Sequence, residues 1–162
     1  EDAEKNDVYY IHSVGTNGKE YLEKFEANGF TKRAENVYYK GNAEVRLYID
    51  NMDTCMAAAD LVIGRAGASS LSEIEAMGKA SILIPSPYVA ENHQFHNAMA
   101  LVNRNAARIL REKDLTTDSL KTLMNELISD KAELANIEKN AKEMAILDSR
   151  ERIADIILSL AK

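Results

Sequence analysis

The residues with the most chemical potential lie between Leu61 and Glu73, LVIGRAGASSLSE: an apolar strand pattern, a glycine-containing turn, then hydroxyl residues opening a helix. A helix start leaves its first N–H groups without partners, and the dipole adds about half a positive charge there, so a phosphate is favoured. Gly67 lets the backbone come close to a ligand, and Ala68, Ser69 and Ser70 are too small to cover the exposed donors. The run Ser70-Leu71-Ser72-Glu73 fits a capping box equally well, with Glu73 merely reaching back to the Ser70 N–H. Pattern leaves both readings open. Neither GxGxxG nor GxxxxGK[ST] occurs, so the dinucleotide and P-loop fingerprints are unsupported.

A second constellation is PSPYVAENHQFHNA, from Pro85 to Ala98, in which Asn92, His93 and Gln94 suit hydrogen bonding to hydroxyl groups. His93 and His96 stand three apart, a spacing that can hold a metal, but no third ligand is nearby and ordinary polar or packing roles compete. Arg65 can meet a diphosphate or simply pair with a carboxylate, the structural role being slightly favoured. His12 falls in a strand pattern as a core or edge histidine, and Cys55 reads as a small buried hydrophobe. No Ser-His-Asp or Cys-His arrangement is evident, and no carboxylate stands out as a catalytic base.

At 162 residues and 46% hydrophobic, the chain can bury one proper core, and one domain is expected. Its net charge of -6 argues against a general nucleic-acid binder, which carries a basic footprint. One cysteine excludes internal disulfides, makes a cysteine-based zinc site implausible, and fits a reducing, cytoplasmic setting. No apolar run approaches the ~20 residues that span a bilayer, and the acidic start EDAEKND is unlike a signal peptide.

The elements that must position these residues alternate. Strands are expected over Val8 to Val14, Val45 to Ile49, Leu61 to Gly64, Ala80 to Ile84 and Ala106 to Leu110. Helices are expected over Lys19 to Ala27 (Tyr21, Leu22 and Phe25 in register), Met52 to Ala59, Ser70 to Gly78 and Asn92 to Asn103. Thr31 to Asn42 reads as an extended loop with one short strand. Thr117 to Ser129 and Lys131 to Met144 are packing helices. A last helix, capped by Asp148 or Ser149, aligns Ile153, Ile156, Ile157 and Leu160 in one stripe. The sum is an α/β domain of about five parallel strands with helices on both faces, a Rossmann-like arrangement that binds ligands at the C-terminal strand ends. Three turns share that edge: Ile49 to Met52, Gly64 to Ser70, and Pro85 to Gln94.

At these turns the sequence resembles the peptidoglycan N-acetylglucosaminyltransferase (MurG) family, which joins N-acetylglucosamine from its UDP donor to lipid I. The text that carries the likeness is YIDNM at Tyr48 to Met52, ADLVIGRAGASSLSEIEAMGKASILIPSPY at Ala59 to Tyr88, and ENHQFHNA at Glu91 to Ala98. More loosely it spans Val8 to Lys162. The resemblance implies one half of a GT-B glycosyltransferase, its C-terminal, UDP-sugar-binding domain. By position, Ile49 reads the uracil edge with its backbone, Ala68, Ser69 and Ser70 offer N–H groups to the diphosphate, and Gly67, Leu71 and Ser72 count among the substrate-binding residues. Glu73 takes the ribose hydroxyls, while Gln94 and His93 take sugar hydroxyls; Arg65, Met52 and Asn97 are further candidates.

The reaction implied is inverting displacement at the anomeric carbon, with no metal or cofactor. The catalytic base and the lipid I site belong to an N-terminal acceptor domain, and the full-length enzyme is peripheral on the inner face of the cell membrane. The family also has a strand and a GGS-type loop before the segment matching Val8, so this chain alone is expected to be inactive and at best a weak donor binder. Competing readings are a donor-binding subunit of a split N-acetylglucosaminyltransferase, like that of the dolichol pathway, and, more weakly, a UDP-N-acetylglucosamine epimerase or a nicotinamide-binding domain.

Overall fold

The structure is a computed structural model and describes residues 7–161. The acidic start, Lys162 and the side chain of Leu22 lie outside the described residues. Two compact units divide at Cys55 and Met56.

The first unit carries β1 (Tyr10–Ser13), α1 (Leu22–Ala27), β2 (Thr31–Ala34), β3 (Val37–Lys40) and β4 (Ala43–Arg46). These strands form one sheet in the order β1-β4-β3-β2, parallel between β1 and β4 and antiparallel elsewhere. The segment expected to be a loop with one short strand is therefore the hairpin β2-β3. Its tight turn is possible because Asn36 adopts a left-handed conformation (φ 58°), and Gly41 (φ 53°) does the same between β3 and β4. Strand alternation sends Tyr38 and Val45 into a small core with Val14, Phe25, Phe30 and Leu47, and Phe25 meets Phe30 edge-on. His12 lies on β1, an edge strand.

Helix α2 (Met52–Ala58) crosses the boundary, and the second unit continues with β5 (Leu61–Gly64), α3 (Ala68–Met77), β6 (Ala80–Leu83), α4 (His93–Val102) and β7 (Arg108–Ile109). It ends with α5 (Thr117–Ser129), α6 (Lys131–Met144) and α7 (Ser149–Leu160). Strands β5-β6-β7 are all parallel, with β6 central and buried along its whole length. Such burial needs cover on both faces, and two clusters supply it. One joins Leu71 and Ile74 of α3, Ala98 and Leu101 of α4 and Leu83 of β6; the other joins Ile82 of β6 to Leu127 of α5 and Leu134 and Ile137 of α6.

A strand falls in each of the five expected segments, distributed over the two sheets, but β4 ends at Arg46, short of the expected Ile49, and β7 is only two residues long. Helix α3 stops at Gly78, whose left-handed φ of 63° lets the Lys79 N–H close back on the Ile74 carbonyl at 3.0 Å. Thr116 caps α5 through a reciprocal pair with Ser119, and Asp130 caps α6 on the Glu133 N–H. Asp148 precedes α7 without capping it: its carboxylate is taken instead by Arg152 Nε at 2.9 Å. The stripe Ile153, Ile156, Ile157 and Leu160 is exposed.

Candidate functional site

Strand β5 delivers the chain to a three-residue turn, 65–67, and Gly67 then starts α3 in an extended conformation with no side chain to cap it. The first backbone bond of the helix runs from the Leu71 N–H to the Gly67 carbonyl at 3.0 Å, which leaves the N–H groups of Ala68, Ser69 and Ser70 outside the helical ladder. No acidic residue lies in this first turn. The capping box, one of the two readings left open by the pattern, is not formed, because the helix begins two residues before Ser70; Glu73 instead stands exposed on the second turn. Leu71 and Ser72 build the turn itself, Leu71 through its buried side chain and Ser72 by donating to the Ala68 carbonyl at 3.0 Å. A Cβ on Gly67 would meet only Ser70 Oγ, at 4.0 Å, and its φ of -71° suits any residue, so the fold does not require glycine there.

The end of β6 is locked to the end of β5 by the Ile84 N–H donating to the Gly64 carbonyl at 2.8 Å. Arg65 reinforces this junction, donating from Nη1 to the Ile84 carbonyl at 3.2 Å and pairing with Glu112. Both contacts are to groups of the fold itself. Beyond β6, the loop into α4 takes two consecutive left-handed residues, Glu91 (φ 51°) and Asn92 (φ 53°), a strained route that asparagine tolerates better than glutamate.

Helix α4 begins at His93, one residue later than expected, with Asn92 before it. Gln94 Oε1 accepts from the Ser86 N–H at 2.9 Å, folding the loop back and leaving the amide NH2 as the group Gln94 can offer. His93 Nδ1 lies 2.9 Å from the Ala90 carbonyl, which can only accept, so Nδ1 donates and Nε2 is the ring nitrogen left to meet a ligand. Asn97 donates to the Ala66 carbonyl at 3.2 Å. The structure thus brings the start of α3 and the start of α4 to one end of the parallel sheet. His96 packs edge-on to Phe95, and among the described residues no three His, Cys, Asp or Glu side chains come together as a metal would need.

Ile49 and Met52 belong to the first unit. Met52 is exposed at the start of α2, whereas Ile49 is only 7% exposed. Next to this turn lies a polar network that the sequence pattern did not single out. Glu44 is 4% exposed and accepts from Tyr9 Oη at 2.7 Å and from Arg46. Burial alone would push its carboxyl up, but hydrogen bonds from Arg46, Tyr9 and Tyr39 outweigh burial and hold it below the usual glutamate value. The only sequence signal was a Glu-Val-Arg alternation along a strand.

Comparison with known proteins matches this arrangement. The description "Glycosyltransferase family 28 C-terminal domain" fits residues 1–155. The UDP-N-acetylglucosamine--N-acetylmuramyl-(pentapeptide) pyrophosphoryl-undecaprenol N-acetylglucosamine transferase 1 of Bacillus cereus is 37% identical over 97% of this chain, which covers 44% of that protein. The enzyme of the same name, without the numeral, from Caldicellulosiruptor saccharolyticus is 42% identical over 93% of this chain and 38% of its own length. The chain therefore spans less than half the length of these relatives. In structure it is similar to Acinetobacter baumannii MurG, with a TM-score of 0.78 and 24% identity over 96% of this chain and 45% of that one, a likeness of fold. A parallel α/β fold ending in a bare helix start, together with a domain description that fits nearly its whole length, means that this chain belongs to the glycosyltransferase family 28 C-terminal domains.

Proposed function

We propose that this chain is the UDP-N-acetylglucosamine-binding part of an inverting transferase that passes N-acetylglucosamine to lipid I in peptidoglycan synthesis, at the cytoplasmic face of the membrane. The observation that carries this reading is the uncapped start of α3, where Ala68, Ser69 and Ser70 are exposed, their N–H groups lie outside the helical ladder and the first turn holds no acidic residue. In this reading they hold the donor diphosphate and stabilise the negative charge that grows on UDP as it leaves. Glu73 takes the ribose hydroxyls as a two-oxygen acceptor. The Gln94 amide NH2 and His93 Nε2 take sugar hydroxyls as donor and acceptor, and Ile49 meets the uracil edge through its backbone.

The lipid I site and the base that deprotonates the acceptor hydroxyl come from the remainder of a longer protein of the relatives' size. This reading calls for no metal or organic cofactor. Among the described residues no helix is long and apolar enough to cross a membrane; in this reading membrane contact is peripheral.

Calorimetric titration of UDP-N-acetylglucosamine, UDP-glucose and NAD into the chain tests the reading, with Glu73→Ala and Gln94→Ala as variants. UDP-N-acetylglucosamine should bind best. Glu73→Ala should weaken every UDP ligand, whereas Gln94→Ala should erase only the preference between the two sugars. Binding indifferent to both variants, or NAD binding in their place, would remove the proposal.

A further inference from the structure

We infer that Arg46 and Asn51 form a clamp that fixes the 47–50 turn, and with it the backbone of Ile49, in the shape that reads a uracil base. This inference rests on the donor-site reading above. Ile49 lies in neither β4 nor α2, so neither a strand ladder nor a helix dictates the direction of its peptide groups. A base edge is read only by groups held to within about half an ångström. Something else must hold this turn.

Packing holds the turn at Ile49 alone, which is buried, and leaves its neighbours open to solvent. The turn borders an open cleft of about 610 Å³ lined by Asn36, Leu47, Tyr48 and Asp50, and Tyr48 is 62% exposed. The anchors are polar and sit at the two ends. At the near end the Leu47 N–H donates to the Asn36 carbonyl at 2.9 Å, with Ser13 Oγ more loosely on the Leu47 carbonyl at 3.5 Å. At the far end Arg46 Nη1 donates to Asn51 Oδ1 at 2.8 Å, and the Cys55 thiol approaches the same oxygen at 3.7 Å.

The guanidinium cannot swing away, because its Nε is paired with buried Glu44, itself held by Tyr9. One planar fork thus connects a fixed buried carboxylate to the end of the turn. A lysine ammonium could keep the charge but not span both partners in one geometry. Arg46 and Asn51 are positioning residues: they act on the ligand through the backbone they hold.

Binding of UDP and CDP to the chain, measured by calorimetry alongside thermal melting, tests the clamp. Asn51→Ala and Arg46→Lys should each weaken UDP about fivefold while leaving CDP unchanged, so the uracil preference falls by the same factor, the worth of one hydrogen bond. Asn51→Asp, which keeps an acceptor for Arg46, should restore that preference. A preference unchanged in Asn51→Ala and Arg46→Lys would overturn the clamp. So would UDP and CDP weakening together, which would mark a merely structural role, or failure of the aspartate to rescue. If the unsubstituted chain binds no UDP, the donor-site reading itself is overturned.

Discussion

Asn97 on α4 donates from Nδ2 to the carbonyl oxygen of Ala66 at 3.2 Å, tying the helix that carries His93 and Gln94 to the turn that launches α3. Ala66 is fully buried, so its carbonyl has no ready access to water. Asn97→Ala should therefore cost about 1–2 kcal/mol in urea unfolding, since a buried acceptor is left unsatisfied. Asn97→Asp should cost more, because an acceptor-only carboxylate then faces a carbonyl. Equal stability of the wild type and both variants would contradict this role.

Gly67 offers a cleaner separation of folding from binding. Its conformation suits alanine, and the added methyl meets nothing closer than Ser70 Oγ at 4.0 Å. Alanine should gain about 0.4–1 kcal/mol by restricting the unfolded chain and lose a similar amount as a poorer helix cap. Stability of Gly67→Ala should thus lie within about 0.5 kcal/mol of wild type. The methyl would stand where a diphosphate must approach the α3 donors, so UDP affinity should fall at least about tenfold, a loss near 1.4 kcal/mol. Retained affinity in calorimetry would place the phosphates elsewhere.

Strands β5 and β6 were legible because each is a short, mainly apolar run between helices, and β6, buried throughout, is the clearest case. The hairpin β2-β3 was not, because Thr31 to Asn42 is polar and its turn depends on a left-handed Asn36 rather than on an Asn-Gly pair. The start of α3 was misplaced by two residues for a related reason: Gly67 caps without a side chain, while Ser70 and Glu73 advertise a box that the helix swallows. The candidate residues on α3 and α4 were readable from local text. The Glu44 network was not, since Tyr9 lies 35 residues away and meets Glu44 only once the sheet has formed.

Glu44 makes acid stability a test of that network. Its carboxyl is held below its ordinary value of 4.5, so the folded chain binds this proton less readily than the unfolded one. The stabilisation is complete above that ordinary value and is lost as pH falls through the lower, folded one. Glu44→Gln should be less stable at neutral pH by about 1–3 kcal/mol, because charge-assisted bonds are lost at a buried site. In acid the gap should narrow. Urea midpoints measured at neutral pH and below pH 4 would show it, and a gap that stays constant would mean that Glu44 contributes no pH dependence.

Ser81 works in the opposite direction. It sits at the centre of β6, fully buried, and its Oγ has no hydrogen-bond partner among the described residues. Its strand neighbour across the ladder is Val62. An unsatisfied buried hydroxyl costs about 1–3 kcal/mol, while removing one oxygen leaves a void too small to cost as much. Ser81→Ala should therefore raise stability by about 1 kcal/mol and leave UDP binding unchanged, because β6 touches the site only through its far end. A loss of stability would mean that the hydroxyl has a partner, such as a buried water, and that the interior of this sheet is wetter than its apolar walls imply.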